Sequence, residues 1–246
     1  MRFARIVLLG IALALVAVNG VHAGNINLVT NGDFETTTSG LGQLGYNTNA
    51  TGWSTSGYNF VFGPKGADST GVTGQYGNLQ LWGPGNGSNN GLTASPTGGN
   101  FIAADGAYEV GAITQTINGL TKGESYVVNF NWAGAQQEGV NYTSPTTEQW
   151  RVGFGSQHQD TAVLINAGKG FTGWQAESFT FTADGTSDVL SFLAVGTPSG
   201  VPPFSLLDGI SVNAAVPEPS SLALAALGLL GLGVARFRRQ AKSSQV

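Results

Sequence analysis

The chain has 246 residues, no cysteine, and a formal net charge of −4 with only 10% charged side chains. The absence of cysteine excludes a disulfide framework, so a hydrophobic core must hold the fold. Between residues 24 and 216, four basic side chains stand against thirteen carboxylates, a net charge of −9. So few cations cannot neutralise a run of phosphates, and this balance argues against nucleic acid as a partner.

The N-terminus has the layout of a secretory signal peptide. Arg2 and Arg5 precede an apolar segment over residues 6–18, and a Val-x-Ala end follows at residues 21–23. A charged start, a short apolar stretch and a small-residue end are what signal peptidase requires. We therefore predict a signal helix over residues 1–23, removed by signal peptidase. A permanent N-terminal anchor is the alternative, which the shortness of the apolar run disfavours.

Residues 24–213 are typical of a single β domain. Tyr126, Val128, Phe130 and Trp132 alternate with more polar residues, which places them on one face of a strand. Turn pairs such as Asn118-Gly119 separate further apolar segments. These segments lie at residues 26–30, 58–62, 78–82, 101–104, 112–117, 149–154, 161–165, 178–182, 189–194 and 204–212. They predict an all-β fold, a two-sheet antiparallel β-sandwich with a jelly roll as the favoured form.

Three stretches carry more specific expectations. Residues 63–77 and 83–99 are dominated by Gly, Asn, Ser and Thr, and the second reads as a long surface loop without packing. Residues 189–194 are apolar at both alternating sets of positions, which predicts a strand covered on both faces.

The two ends of this domain resemble a known fold. The segment Asn31-Gly32-Asp33-Phe34-Glu35, Trp53 further on, and a late Leu-Asp-Gly-Ile segment around Asp208 look like the edges of a galactose-binding-like jelly roll. Several families of carbohydrate-binding modules share that fold. The resemblance implies that the first and last strands lie close together and that a structural calcium joins them.

The calcium ligands that the resemblance implies are Glu35 and Asp208, with Asp33 as a weaker candidate because neighbouring strand residues point to opposite faces. A hard cation needs several carboxylate and carbonyl oxygens, which an acidic exported domain can supply. Ordinary turn chemistry is the alternative, since an Asp before Gly often bonds its own backbone.

Sugar binding in such a fold uses aromatic rings beside amides and carboxylates. The candidates are Trp53, Trp82, Trp150, Tyr58 and Tyr142, with Gln136 and Gln137 as polar partners. Aromatic residues in alternating strands are more often core, which is the competing interpretation.

Catalysis has little support from motifs. The domain has a single histidine, His158, and lacks a G-x-S-x-G elbow, an H-E-x-x-H helix and a cysteine nucleophile. We therefore predict no catalytic residues and no enzyme. Glycoside hydrolysis remains a distant alternative because it needs only two carboxylates. The glutamates available for it are Glu109, Glu138, Glu148 and Glu177.

The C-terminal segment, residues 214–246, has three parts: a Pro-Glu-Pro motif, an apolar span over residues 220–235 and a basic tail over residues 236–242. The motif consists of Val216, Pro217, Glu218 and Pro219. The prolines keep the backbone extended, and the arginines of the tail favour a cytoplasmic end. In this order the parts resemble the PEP-CTERM sorting signal of exopolysaccharide-producing Gram-negative bacteria.

That resemblance implies an exosortase-type membrane protease as a partner and a short transmembrane helix that anchors the chain in the inner membrane before processing. It also implies a final location at the cell surface or in the extracellular matrix. An ordinary C-terminal anchor is the alternative.

Two functions follow as hypotheses. The favoured one is a non-catalytic structural or adhesive role in the exopolysaccharide or biofilm layer. The alternative is a carbohydrate-binding module for an extracellular polysaccharide. Two or more candidate aromatics exposed in one concave patch would favour the module.

Overall fold

A computed structural model describes residues 26–63 and 71–215. The predicted signal peptide, the sorting motif at 216–219 and the predicted transmembrane helix lie outside these residues. Within the described ranges no helix is long and apolar enough to cross a bilayer. The strands there are β1 (Gly42–Gln43), β2 (Asn59–Phe62), β3 (Val72–Gly74), β4 (Gly77–Leu79), β5 (Phe101–Asp105), β6 (Ile113–Asn118), β7 (Ser125–Gln136), β8 (Thr146–Phe154), β9 (Gln157–Asp160), β10 (Leu164–Asn166), β11 (Gln175–Thr182), β12 (Ser187–Thr197) and β13 (Pro203–Ala214).

The strands form two main sheets and a hairpin. The six-stranded sheet has the order β1-β2-β5-β13-β7-β11, and the five-stranded sheet has β10-β8-β12-β6 with β9 beside β8. Strands β3 and β4 form a separate two-stranded hairpin. All pairs in these sheets are antiparallel. The predicted all-β, antiparallel β-sandwich is confirmed.

The main core lies between the two large sheets. Large buried side chains from both sheets meet there, among them Trp132 of β7, Trp150 of β8 and Phe192 of β12. Phe192 packs edge-on against Trp150 with ring centroids 6.0 Å apart. Burial of such rings supplies the main stabilising free energy of a domain without disulfides.

A second core covers the outer face of the six-stranded sheet. Alternate residues of its central strands, such as Phe60, Phe101 and Phe204, point away from the main core and pack against Leu79 and Leu92. Leu92 is buried, so the Gly-rich segment 83–99 is packed against the sheet rather than lying free as the sequence indicated. The strands β2, β5 and β13 are therefore covered on both faces.

Strand β12 is less covered than the sequence predicted. Val189 is 48% exposed and Val195 is 36% exposed, so this strand faces solvent on one side. The prediction that β12 is covered on both faces, which was based on apolar residues at both alternating sets of positions, is therefore wrong.

The start of the described chain runs beside the last strand, as the resemblance implied. The backbone N–H of Leu28 donates to the carbonyl of Val212 at 2.9 Å, and the N–H of Ile210 donates to the carbonyl of Gly32 at 2.9 Å. A register shift between Asp208 and Ser211 marks a bulge at this point of β13. The predicted strand at residues 26–30 is an extended segment with few ladder bonds.

Candidate functional site

A cleft of about 470 Å³ opens where β2, β5, β7 and β13 meet the β3–β4 hairpin. Four tyrosines line it, and we call it the tyrosine cleft: Tyr58, Tyr76, Tyr108 and Tyr142. The other lining groups include Asp105, Asn78, Gln137 and the segment 199–202 before β13. Aromatic rings, amides and a carboxylate thus come together in one concave surface.

Three of the rings form a packed cluster. The centroid of the Tyr58 ring lies 5.7 Å from that of Tyr76 and 5.7 Å from that of Tyr108. The centroids of Tyr76 and Tyr108 are 6.0 Å apart, and their hydroxyl oxygens are 3.1 Å apart. Tyr58 is only 6% exposed, whereas Tyr76 is 61% and Tyr108 48% exposed. Tyr58 therefore supports two rings that offer their surfaces to solvent.

Glu109 fixes the position of the hairpin at the cleft. Its Oε1 accepts a 2.6 Å hydrogen bond from the Tyr76 hydroxyl, and its Oε2 accepts a 2.5 Å bond from the Gln75 amide. Gln75 and Tyr76 form the turn between β3 and β4, and Gly77 follows at a φ of +103°, which glycine tolerates. The carbonyl of Glu109 also accepts the N–H of Tyr58 at 2.8 Å.

Asp105 contributes a buried carboxylate at the end of β5. Its Oδ1 accepts the N–H groups of Ala107 at 2.8 Å and Tyr108 at 3.1 Å. Its Oδ2 is buried without a hydrogen-bond partner. Burial raises the pKa of Asp105 to about 6, against the lowering effect of the two N–H donors. Burial, aided by the charges of Asp105 and Glu109, likewise raises the pKa of Tyr58 to about 12.

Trp82 positions the fourth tyrosine. Its indole Nε1 donates a 2.7 Å hydrogen bond to the carbonyl of Tyr142, and its ring lies 4.2 Å from the ammonium of Lys169. Trp82 itself is buried. An isolated bridge between Leu81 and Gln137 joins the same segment to the cleft.

The structure separates the predicted sugar-binding residues into two groups. Tyr58, Tyr142 and Gln137 line the tyrosine cleft. The remaining candidates, Trp53, Trp82, Trp150 and Gln136, are buried. The indole N–H groups of Trp53 and Trp150 donate to the carbonyls of Asn31 and Leu206 at 2.9 and 3.0 Å, respectively. Their polar atoms are thus used within the protein, and the rings fill the main core.

Sequence reasoning missed Asp105, Tyr76 and Tyr108. A signal for them existed, because Tyr76 stands next to Gly77 in a turn and Asp105-Gly106 precedes Tyr108 in another. An aromatic residue at a turn cannot enter a strand's alternating core pattern, so exposure is expected there.

Two of the three proposed calcium ligands, Glu35 and Asp208, contact the segment 95–100. The Thr97 hydroxyl donates to Oδ2 of Asp208, whose Oδ1 is buried without a partner. Burial raises the pKa of Asp208 to about 6, and the charge of Asp33 adds to this. Glu35 Oε1 accepts the N–H of Asn100 at 2.5 Å. The described residues contain no converged group of three metal-binding side chains, but Asp208 retains an oxygen that a cation could use.

Residues 215–239 match a family model. The chain carries a PEP-CTERM protein-sorting motif. The motif identifies an exported protein that is anchored in the membrane before processing. No curated protein matches the chain.

Solved structures of carbohydrate-binding modules are similar to the chain. TmCBM61, solved with β-1,4-galactotriose, is 14% identical, with 77% of this chain and 99% of that chain covered and a TM-score of 0.41. The CBM22-1 xylan-binding domain of Paenibacillus barcinonensis Xyn10C is 13% identical, with 78% and 97% covered and a TM-score of 0.37. A second module of carbohydrate-binding family 16 is 13% identical, with 76% and 99% covered and a TM-score of 0.32.

Proposed function

We propose that this exported protein binds an extracellular polysaccharide, without catalysis, in the tyrosine cleft. The observation that carries the proposal is the pair of exposed rings of Tyr76 and Tyr108 in the same cleft as the buried carboxylate of Asp105. Tyrosine rings stack on the apolar face of a pyranose, while amides and carboxylates accept and donate hydrogen bonds to its hydroxyls. The sequence favoured a structural role, and this cleft shifts the weight to the binding module.

Among the described residues that line the cleft, Asp105 is the only carboxylate, which favours binding over hydrolysis. Both oxygens of Glu109 accept hydrogen bonds from Gln75 and Tyr76, which holds this group in a structural role. Glu148, another candidate acid, lies buried in the sandwich with Oε1 bound by the Thr146 hydroxyl at 2.5 Å. A glycosidase needs two carboxyl groups on either side of one glycosidic bond. These contacts support a non-catalytic role.

A polysaccharide panel tests the proposal. The full-length protein, in a detergent without a sugar headgroup, is titrated with neutral, acidic and amino polysaccharides, including the exopolysaccharide of the source cells. We expect saturable binding that Tyr76→Ala or Tyr108→Ala weakens at least tenfold, because each removes a stacking surface. Tyr46→Ala is the matched control, since Tyr46 is as exposed as Tyr76 (61%) but is absent from the cleft. Binding that is unaffected by both cleft variants would contradict the assignment.

Protein-to-protein adhesion is the second candidate function. The outer face of the five-stranded sheet exposes Val189 and Val195 of β12 and Ile165 of β10. An apolar sheet face of this kind suits contact with another protein. Absence of glycan binding by folded protein, together with self-association that Ile165→Lys and Val189→Lys abolish, would favour this role.

We further propose that an exosortase-type protease of a Gram-negative inner membrane cleaves near Pro217–Pro219, and that the released domain joins the cell surface or matrix. The sorting motif at residues 215–239 supports this. Cells with and without the exosortase should differ in the mass of the chain. Persistence of the full-length chain in both would count against processing.

A structural calcium is also proposed, at the candidate site of Glu35, Asp208 and Asp33. Its support is the unpartnered Oδ1 of Asp208, near the charge of Asp33 and under the segment that also contacts Glu35. The ion would join the start of the domain to β13 through oxygen ligands.

A further inference from the structure

We propose that the tyrosine cleft selects glycans that carry free amino groups, and that it binds a protonated hexosamine amine beside the rings of Tyr58, Tyr76 and Tyr108 with Asp105 as its anion. This inference rests on the proposed function and names its ligand class. It follows from the charge of the cleft, the unpartnered oxygen of Asp105 and the arrangement of the rings.

The cleft carries negative and no positive side chains among its described lining residues. Asp105 lies in its wall, and Glu109 accepts a hydrogen bond from the hydroxyl of Tyr76, which lines the cleft. An acidic glycan, rich in uronate or sulfate, would place its anions against these carboxylates without a compensating cation.

The described basic residues are engaged elsewhere. Arg151 pairs with Asp160 through two 2.9 Å hydrogen bonds, and Lys169 lies over the Trp82 ring. Lys122 lies close enough to Asp184 to lower the pKa of that carboxyl. None of these three basic residues lines the cleft.

Oδ2 of Asp105 is a buried acceptor to which a ligand could donate a hydrogen bond. A buried acceptor without a hydrogen bond is destabilising, and more so when it is charged. A sugar hydroxyl would donate to this oxygen as well, but an ammonium brings an opposite charge together with its donors, so it adds a Coulomb attraction that a hydroxyl does not supply. The raised pKa of Asp105 leaves part of this carboxyl group protonated at physiological pH. A bound ammonium would stabilise its ionised form.

The rings add a second attraction for a cation. Three tyrosine centroids lie 5.7 to 6.0 Å from one another, with interplanar angles from 41° to 85°. A cation above such a cluster lies within about 6 Å of more than one ring, the range in which ring quadrupoles attract positive charge.

A glycan suits the cleft better than the lysine side chain of a peptide. The cleft also brings Asn78 and Gln137 and the polar backbone of residues 199–202 to its surface. Ring hydroxyls of a hexosamine would use these groups together with the carboxylate. A lysine side chain offers one ammonium on an apolar stem and leaves them without new partners.

A comparison of two chemically matched ligands tests the inference. The full-length protein is titrated with the β-1,4-linked glucosamine hexamer and with the same hexamer fully N-acetylated, at a pH at which the amine is protonated. We expect the free amine form to bind at least tenfold more tightly, with a steeper loss of affinity as salt is added. Asp105→Asn and Glu109→Gln should each bring the ratio of the two affinities towards one. Glu124→Gln, which removes an exposed carboxylate not found in the cleft, should leave the ratio unchanged.

The outcomes separate this inference from the proposed function. Equal affinity for the two hexamers, with loss of both in Tyr76→Ala, would overturn amine selection while a glycan site remains. Failure of folded protein to bind any polysaccharide would overturn both. Competition by a lysine hexamer as strong as that by the glucosamine hexamer would overturn the assignment to a glycan. If Asp105→Asn does not fold, judged by circular dichroism, Glu109→Gln and the salt dependence decide.

Discussion

The hydroxyl of Tyr76 donates a 2.6 Å hydrogen bond to Oε1 of Glu109, although 33 positions separate the two residues in the chain. The second oxygen of the same carboxylate holds the Gln75 amide. One exposed carboxylate thus ties the tip of the β3–β4 hairpin to the turn after β5, and these two elements carry the exposed rings of the tyrosine cleft. The shape of the cleft depends on this contact.

The contact has a signature that needs no ligand. The hydrogen bond to Glu109 is the largest cause that raises the pKa of Tyr76, because ionisation would place a phenolate against a carboxylate. Glu109→Gln should therefore shift the ionisation of Tyr76, and to a smaller extent that of Tyr58, to lower pH in an ultraviolet titration. Glu124→Gln serves as the control and should leave the curve unchanged. An identical curve in Glu109→Gln would show that the contact does not form in solution.

Trp82 and Trp150 are both buried, and they should nevertheless differ when replaced by Phe. Each substitution removes an indole N–H that satisfies a carbonyl, so each should lower the free energy of unfolding by about 1–3 kcal/mol. Only the carbonyl bound by Trp82 belongs to a cleft residue, Tyr142. We expect Trp82→Phe to weaken glycan binding several-fold and Trp150→Phe to leave it near that of the unchanged protein. Urea unfolding and glycan titration measure the two effects, and equal losses of affinity would contradict this positioning role.

The alternation of apolar residues was sufficient to predict the sandwich, because a strand that buries one face must repeat every second residue. It could not reveal the second core. Leu79 and Leu92 stand alone among Gly, Asn and Ser, and only the apolar outer face of β5 and β13 shows what they cover. For the same reason the sequence wrongly predicted that the strand of Val189 is covered on both faces, whereas β5 is covered on both. The local sequence pattern shows which residues are apolar, but distant parts of the chain determine which layer buries them.

The candidate binding site was harder to predict for a related reason. Tryptophan offers the largest ring surface for stacking on a sugar, but a large ring also contributes most to a core when buried. Trp53 and Trp150 serve the core. The exposed rings belong to Tyr76 and Tyr108, which lie in turns, and the two turns are brought together only by the fold.

Stability should fall as pH rises across the neutral range. Burial raises the pKa of Glu148 to about 8, and those of Asp105 and Asp208 to about 6. Because these folded-state values exceed the unfolded ones, the folded protein holds protons that the unfolded chain has released. Below about pH 4 these carboxyl groups are neutral in the folded and the unfolded state, so their burial does not oppose folding. The free energy of unfolding then decreases from about pH 4 to about pH 8. The lowered pKa values of Asp160 and Asp184 act in the opposite direction, but only below about pH 4.

Glu148→Gln isolates the largest contribution to this trend. Glutamine keeps the shape and an acceptor for the Thr146 hydroxyl but cannot ionise. The loss of stability for Glu148 alone approaches about 1.4 kcal/mol per pH unit between the unfolded and folded pKa values, so the variant should show a flatter profile there. Urea midpoints measured across this range in the unchanged protein, Glu148→Gln and the exposed control Glu124→Gln provide the check. A midpoint that rises with pH in the unchanged protein would refute the burial of a neutral Glu148.

Calcium should raise the unfolding midpoint if Asp208 holds it. A ligand that binds only the folded state at 100 times its dissociation constant stabilises by about 2.7 kcal/mol, and a chelator removes that amount. Asp208→Asn should abolish the response, since Asp208 Oδ1 is the buried oxygen without a partner. In the presence of chelator the same variant should be no less stable than the unchanged protein, because it removes a buried carboxyl group whose charge burial disfavours. Glu124→Gln should keep the full response. A calcium response that survives in Asp208→Asn would place the ion elsewhere, and melting that is unchanged by chelator in the unchanged protein would remove the calcium from this domain.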